Sequence, residues 1–326
     1  MERIAPGALP AFLIGQAQDH DAMTGCTAII APGGATCGVD VRGGSPGTRE
    51  TDALDPRCNR EKIEAVLLTG GSAFGLDAAG GLMKLLEEKK IGRNVGVTVV
   101  PNVSAAVIFD LQCGRSDVRP DAAMGRLAGE NAFAGQPFRS GNFGAGTGAV
   151  LGKANGGANA MKGGIGAAAF RQGELIVEAV FTVNCVGDIV ENGEIVAGAR
   201  VSGGLQFADS EAVIVERYDC DTDYFRNTVI GCIMTNAILT KAQAARLAGR
   251  GQDAIATAVR PAHSIYDGDT VFALCSGAVQ ASQDAVGILA EHAVREAILD
   301  AVRSAESWGE YLSCRERLER LDRRHA

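Results

Sequence analysis

The sequence lacks the features that announce several broad classes of protein. No apolar run approaches the roughly 20 residues needed to cross a bilayer. The start carries no basic segment, and residues 8–14 are short for an export signal and broken by Pro10. A cytoplasmic protein with no membrane partner is expected. Basic residues form no patch before the last dozen positions and the net charge is −8, which argues against a nucleic-acid partner. Cysteine is present nine times, at 26, 37, 58, 113, 185, 220, 232, 275 and 314. The count is odd and no Cys-x-x-Cys pair occurs, so reduced thiols are expected rather than a disulfide framework or a zinc site. The four histidines, His20, His263, His292 and His325, are far apart and form no His-Glu-x-x-His pattern. Neither a metal nor an organic cofactor is expected.

What the chain does have is glycine. There are 43 in 326 residues, against 5% aromatics. They follow no period, which excludes collagen. They cluster between apolar runs, as tight turns and close backbone approaches require. Apolar residues make up 46%, enough for a globular core.

Periodicity and breakers predict the elements. Residues 25–31 and 36–41 read as two short strands joined by a hairpin at Pro32-Gly33-Gly34. Residues 42–52 form a Gly- and Pro-rich loop carrying Arg42, which reads equally as surface or as the wall of a polar pocket. Residues 65–69 read as a strand, followed through Gly70-Gly71-Ser72 by a helix over 73–90 with Ser72 as its N-cap. No phosphate loop or nucleophile elbow completes there, because the positions that need Lys or Gly hold other residues. Further strands are expected at 95–100, 105–111, 162–170, 174–183, 212–217 and 270–275, and helices at 120–134, 240–259 and 283–304 and in the charged tail 311–324. Residues 191–223 read as an exposed linker. The order of strands and helices suits an α/β or α+β layered sandwich.

Two places carry chemistry. Asn227-Thr228 stands directly before the apolar, β-branched run Val229-Ile230-Gly231-Cys232-Ile233. A hydroxyl thus begins a buried strand. Were the Asn227–Thr228 bond cut, Thr228 would own both a nucleophile and an α-amine able to act as its base. The same residues also serve as a turn cap and an ordinary first strand residue. Asp267 and Asp269 lie two apart at the start of another strand, which projects both carboxylates to one face. Such a pair repels, so one member holds a proton or a nearby cation compensates. An Asp-Gly turn opening a strand is the plainer alternative.

At this point the chain resembles a known family. Asn227-Thr228-Val229-Ile230-Gly231, followed by HSIYDGDTVFAL at 263–274, is similar to the P1-type, S58 peptidases. These include β-aminopeptidases, L-aminopeptidase/D-esterases and nylon-oligomer hydrolases. Five further stretches recur in that family in the same order: VDVRGGSPGTRETD (39–52), LTGGSAFGLDAAGG (68–81), AAVIFDL (105–111), GAGTGAVLGK (144–153) and VNCVGD (183–188).

The resemblance implies a four-layer αββα sandwich of the N-terminal-nucleophile-hydrolase type. One domain, 1–326, would cut itself into chains 1–227 and 228–326. These would assemble as homo-oligomers, a tetramer of two-chain units. It makes Thr228 the nucleophile and Asn184 the oxyanion donor. Lys153 becomes the neighbouring cation, and Asp267 with Asp269 the acidic pair. Phe109, Arg42, Ser72 and Ser264 would line a pocket for a small peptide, amide or ester, and His263 would have a structural role only. At Phe109 some relatives carry Tyr, so their substrate preference does not transfer. An acyltransferase like the ornithine acetyltransferases, or a Gly-rich binding protein that never cleaves, are the alternatives.

Overall fold

The computed structural model describes residues 1–219 and 227–325. The expected segment 222–226 and Cys220 lie outside the described residues. Strand order and packing build four layers. Strands Gly164–Gln172, Leu175–Asn184, Thr228–Ala237 and Thr270–Val279 run side by side. The last two are parallel, the others antiparallel. Strands Leu13–Asp19, Ile63–Thr69 and Val103–Val107 form the second face.

One 18-residue strand, Thr24–Val41, belongs to both. Its first half pairs with Ile63–Thr69 and its second half with Thr270–Val279. The register breaks between Ile30 and Ala35. Pro32-Gly33-Gly34 is therefore no hairpin turn but the bend by which a single strand leaves one sheet for the other, as bulged Gly-rich positions do.

Helices cover the outer faces. Six occur among the described residues: α1 (Ala78–Glu88), α2 (Ala122–Phe133), α3 (Ser210–Glu216), α4 (Lys241–Ala258), α5 (Gln283–Ser304) and α6 (Cys314–His325). Three apolar cores separate the layers. Leu247, Ile255, Val294 and Ile298 pack on Phe181 and Val271 outside the first sheet. Ile29, Leu68, Ile230 and Phe272 fill the space between sheets. Leu82 and Leu86 close on Leu67 and Ile30 outside the second. Alternate residues of one strand serve two of these cores, as the pleat demands: Ile230, Cys232 and Met234 face inward while Val229 and Ile233 face α4 and α5.

The helix ends follow their capping chemistry. Thr240 makes a reciprocal capping box with Gln243, and Ser282 accepts the Ala285 N–H. Several local expectations are corrected. The helix expected over 73–90 starts at Ala78. Ser72 does not cap it: its φ is +54°, its N–H goes to the Ile108 carbonyl, and a 3-10 turn over Ser72–Asp77 precedes the helix. Residues 95–100 give only the two-residue pairing Arg93–Asn94 with Val99–Val100, and 105–111 ends as a strand at Val107. The apolar run 212–217, expected as a strand, is α3. Asp209 accepts the Glu211 and Ala212 N–H groups, and that cap outweighs the β-branched composition. Nor is 191–223 a plain linker. Ala197, Ala199, Arg200 and Ser210 are buried, and the Asp188 carboxylate holds Ala199 N, Ser210 N and Ser210 Oγ at 2.6–2.7 Å.

Candidate active site

The site forms where the two central strands of the first sheet begin and end. Asn184 is the last residue of Leu175–Asn184 and Thr228 the first of Thr228–Ala237, and the ladder sets them opposite one another. Asp267, Gly268 and Asp269 lead into the neighbouring parallel strand, with Asn227 paired to Asp267. Thr228, Asn184, Lys153, Asp267 and Asp269 are all buried. Burial of this many polar groups is costly unless each is bonded, and here each is.

The Thr228 hydroxyl bonds the carbonyl oxygen of Asn227, the residue before it. That same oxygen accepts the Gly268 N–H at 2.9 Å, and the Asn227 N–H donates to Tyr266 O at 3.0 Å. Asn227 is thus held through both its N–H and its carbonyl. Asn184 Oδ1 accepts the Val150 N–H at 3.0 Å and Lys153 Nζ at 3.1 Å, while Nδ2 donates to the Phe109 carbonyl at 3.2 Å. Burial brings Lys153 down to about 8, against the pull of nearby acidic groups.

The two acids differ in surroundings. Asp269 receives two backbone N–H groups, Val229 N at 2.7 Å and His263 N at 3.1 Å, and His263 Nδ1 lies 2.7 Å from it. Asp267 receives Ser264 N at 3.1 Å, Ser264 Oγ at 2.5 Å and a long contact from Val186 N at 3.4 Å. Burial, then the charge of Asp269, raises Asp267 to about 7. The two acids therefore differ, and Asp267 is the one whose affinity for a proton is raised.

The Gly-rich loop before Thr48 is a buttress made of backbone. Arg42 N, Gly44 N and Ser45 N donate to the carbonyls of Asp269, Ser264 and Asp267. A Cβ on Gly43 would meet Asp267 O at 2.2 Å and Asp269 N at 2.4 Å, so only glycine lets the loops lie flush.

Of the residues expected to line a pocket, Ser264 bonds Asp267 directly. Phe109 joins Asp110, Cys113, Lys153, Asn184 and Tyr311 around a narrow cleft. Arg42 does not line it with its side chain: the guanidinium is taken by Asp40, Asp253 and the Gly249 carbonyl on α4. Ser72 does not line it either: its N–H is taken by the Ile108 carbonyl. A roomier groove of about 640 Å³ lies at the other end of the central strand, around Met234, Glu178 and Asp300, and holds none of the expected residues. Gly268 and Tyr311 were not expected at the site, and His263 was expected there only in a structural role. Gly268 is visible in sequence as the residue between two acids. Tyr311 has no local signal, because only the fold of the C-terminal segment, tied by Lys162 N to Leu312 O at 2.9 Å, brings it there.

The profile of peptidase family S58 matches residues 10–311. The chain belongs to that family. It is 38% identical over 320 residues to an uncharacterized aminopeptidase of Mycobacterium leprae, covering 87% of this chain and 83% of the relative. It is 30% identical over 314 residues to the 6-aminohexanoate-oligomer endohydrolase of Paenarthrobacter ureafaciens, covering 90% and 84%. Among solved structures it superposes on a Burkholderia sp. β-aminopeptidase with TM-score 0.67 at 21% identity, over 96% of this chain and 91% of that one. The L-aminopeptidase D-Ala-esterase/amidase of Ochrobactrum anthropi, described as a variant of the Ntn hydrolase fold, gives 0.68 at 18%, over 97% and 92%. The S58 chain described here thus has the Ntn-hydrolase-type layered fold and is a hydrolase of the peptidase/amidase kind. No helix among the described residues is long and apolar enough to cross a membrane.

Proposed function

We propose that the protein is a self-processing amidohydrolase of aminopeptidase type, with Thr228 as nucleophile. The observation that carries this reading is the Thr228 hydroxyl resting against the carbonyl of its own preceding peptide, at the start of a buried strand and beside two acids. In the uncut chain a carboxylate of the Asp267–Asp269 pair takes the hydroxyl proton as Oγ1 adds to the Asn227 carbonyl carbon. The Gly268 N–H, already on that carbonyl oxygen, stabilises the oxyanion. The C–N bond breaks, the Thr228 nitrogen gains a proton, and an ester joins Asn227 to Oγ1. Water opens the ester. The products are chain 1–227, ending in a carboxylate, and chain 228–326, beginning with a free Thr228 amine.

In the mature enzyme the same oxygen attacks the carbonyl of a small peptide, amide or ester. The new α-amine or the acid pair takes its proton. Asn184, opposite Thr228, offers an N–H to the second oxyanion, and Lys153 holds Asn184 in place with its charge. The leaving amine departs and water releases the acyl group. The names of the relatives support amide substrates of aminopeptidase or oligoamide kind.

Intact mass spectrometry tests the reading. Two species are expected, the smaller beginning Thr-Val-Ile-Gly, and Thr228→Ala leaves one uncut, inactive species. An uncut wild-type chain with full activity overturns it. Acyl transfer to added amines in preference to water would make the enzyme an acyltransferase instead.

A further inference from the structure

His263 is held from three directions. Its backbone N–H and its Nδ1 both meet Asp269 Oδ2, at 3.1 and 2.7 Å. On the far side of the ring, Nε2 lies 3.2 Å from the main-chain carbonyl of Gln252 on α4. A carbonyl only accepts, so Nε2 carries a proton. Asp269 already receives the Val229 N–H on its other oxygen at 2.7 Å. Two backbone N–H groups, from Val229 and His263, already favour the carboxylate anion, which leaves the second ring proton on Nδ1. The φ of +57° at His263 places its backbone in a conformation few residues with a side chain adopt.

We infer that His263 is an imidazolium that positions Asp269 and keeps it ionised, so that the proton held by the acid pair lies on Asp267. This rests on the reading of Thr228 as nucleophile, because Asp269 also fixes Val229 N, the amide next to Thr228. The other charges near the ring agree with the assignment. Arg42 works against the imidazolium, but its guanidinium is matched by Asp40 and Asp253. Burial also opposes the charge; the hydrogen bond and charge of Asp269 with the Gln252 carbonyl outweigh both, and the pKa of His263 is raised. The two acids thereby do different work. Asp269 is a fixed anion that orients the start of the central strand, and Asp267 exchanges between the protonated acid and the ionised form that accepts the Thr228 proton.

Nitrogen-15 NMR of uncut Thr228→Ala and of the cleaved wild type, both labelled at histidine, tests this without reference to activity. One of the four histidines should show both ring nitrogens protonated at a pH just above the ordinary midpoint of about 6.5. That signal should be absent in His263→Gln and should titrate lower in Asp269→Asn. His263→Gln keeps a donor toward Asp269 but no charge. It should lower kcat by about tenfold or more, the change given by one pK unit of lost charge stabilisation, with KM nearly unchanged. If every histidine is singly protonated at that pH, or His263→Gln keeps wild-type kcat, the inference fails. Failure of the nucleophile reading would appear separately, as a wild type that neither cuts itself nor hydrolyses amides.

Discussion

Asn184 faces Thr228 across the antiparallel ladder, the last residue of one buried strand against the first of the next. A pair set by sheet register cannot drift without moving both strands, and both are buried in the first sheet except at Asn236. The site is therefore built on the most rigid part of the molecule, with loops supplying only the acids and their supports. Asn184 itself has no spare freedom: its oxygen is shared by Val150 N and Lys153 Nζ, which turns its amide nitrogen toward the Phe109 side.

Asn184→Asp should keep the acceptor and replace the amide donor. Loss of one oxyanion donor costs about 100-fold to 1,000-fold in kcat in comparable sites. Steady-state kinetics on an aminoacyl anilide should show this fall with KM little changed. A wild-type kcat would remove Asn184 from the mechanism.

Gly268→Ala should block self-cleavage while leaving the fold intact. A Cβ there would lie 2.7 Å from Ser45 O, 3.0 Å from Thr228 Oγ1 and 3.1 Å from Pro46 Cα. The first and last are backbone, so the strand entrance must shift, and the hydroxyl loses its line to the Asn227 carbonyl. Denaturing gels over days of incubation should show one full-length band, with circular dichroism like the wild type.

The layers and most elements were legible in the sequence because they rest on periodicity and capping. The helix Gln283–Ser304 was read to the residue because Ser282 caps it and no Pro or Gly interrupts its last turns. The failures are places where tertiary structure overrides local pattern. Pro32-Gly33-Gly34 carries turn chemistry, yet two sheets pull on its flanks and make it a bend. Ala212-Val213-Ile214-Val215 has strand composition, yet Asp209 caps it and its apolar side meets Ala154 and Val186. The candidate site residues were legible only as ordered motifs. Their partnership depends on sheet register, and the salt partner of Asp269 at His263 could not be told from a loop histidine until the Gln252 carbonyl was seen behind it.

Asp267→Asn should change how stability depends on pH. Asp267 is raised from its ordinary value to about 7 by burial and the charge of Asp269. The folded state thus binds a proton more tightly than the unfolded chain. Its favourable contribution is complete below about pH 4 and is lost as pH rises toward 7. At one pK unit per 1.36 kcal/mol the effect is at most about 4 kcal/mol, and less where the pair shares its titration. Thermal melts should therefore place the variant above the wild type at pH 8, with the gap closing toward pH 4. A gap that stays constant with pH would show that Asp267 titrates at an ordinary value in the fold.

Tyr311→Phe should separate substrate binding from self-cleavage. Tyr311 lines the cleft with Lys153 and Asn184, packed against Met23, Cys113, Val150 and Ala160. Its backbone is fixed by reciprocal bonds with Trp308 at 2.9 and 3.1 Å, so the ring is delivered to the cleft by a short, tied segment. The hydroxyl has no hydrogen bond among the described residues, and its pKa is raised by burial and by Cys113 and Glu310 nearby, which keeps it a neutral donor through the working range. With Phe109 unable to donate, this phenol is the free hydroxyl available to a bound amide on that side of the cleft. The Asn227 carbonyl, whose bond to Thr228 is the one cut under the proposed reading, is held instead by the Gly268 N–H, and the Asn227 N–H by the Tyr266 carbonyl. Removal of one neutral hydrogen bond should raise KM by about three- to tenfold, with precursor cleavage followed by mass spectrometry unchanged. Equal slowing of both reactions would mean that Tyr311 supports the fold of the site rather than the substrate.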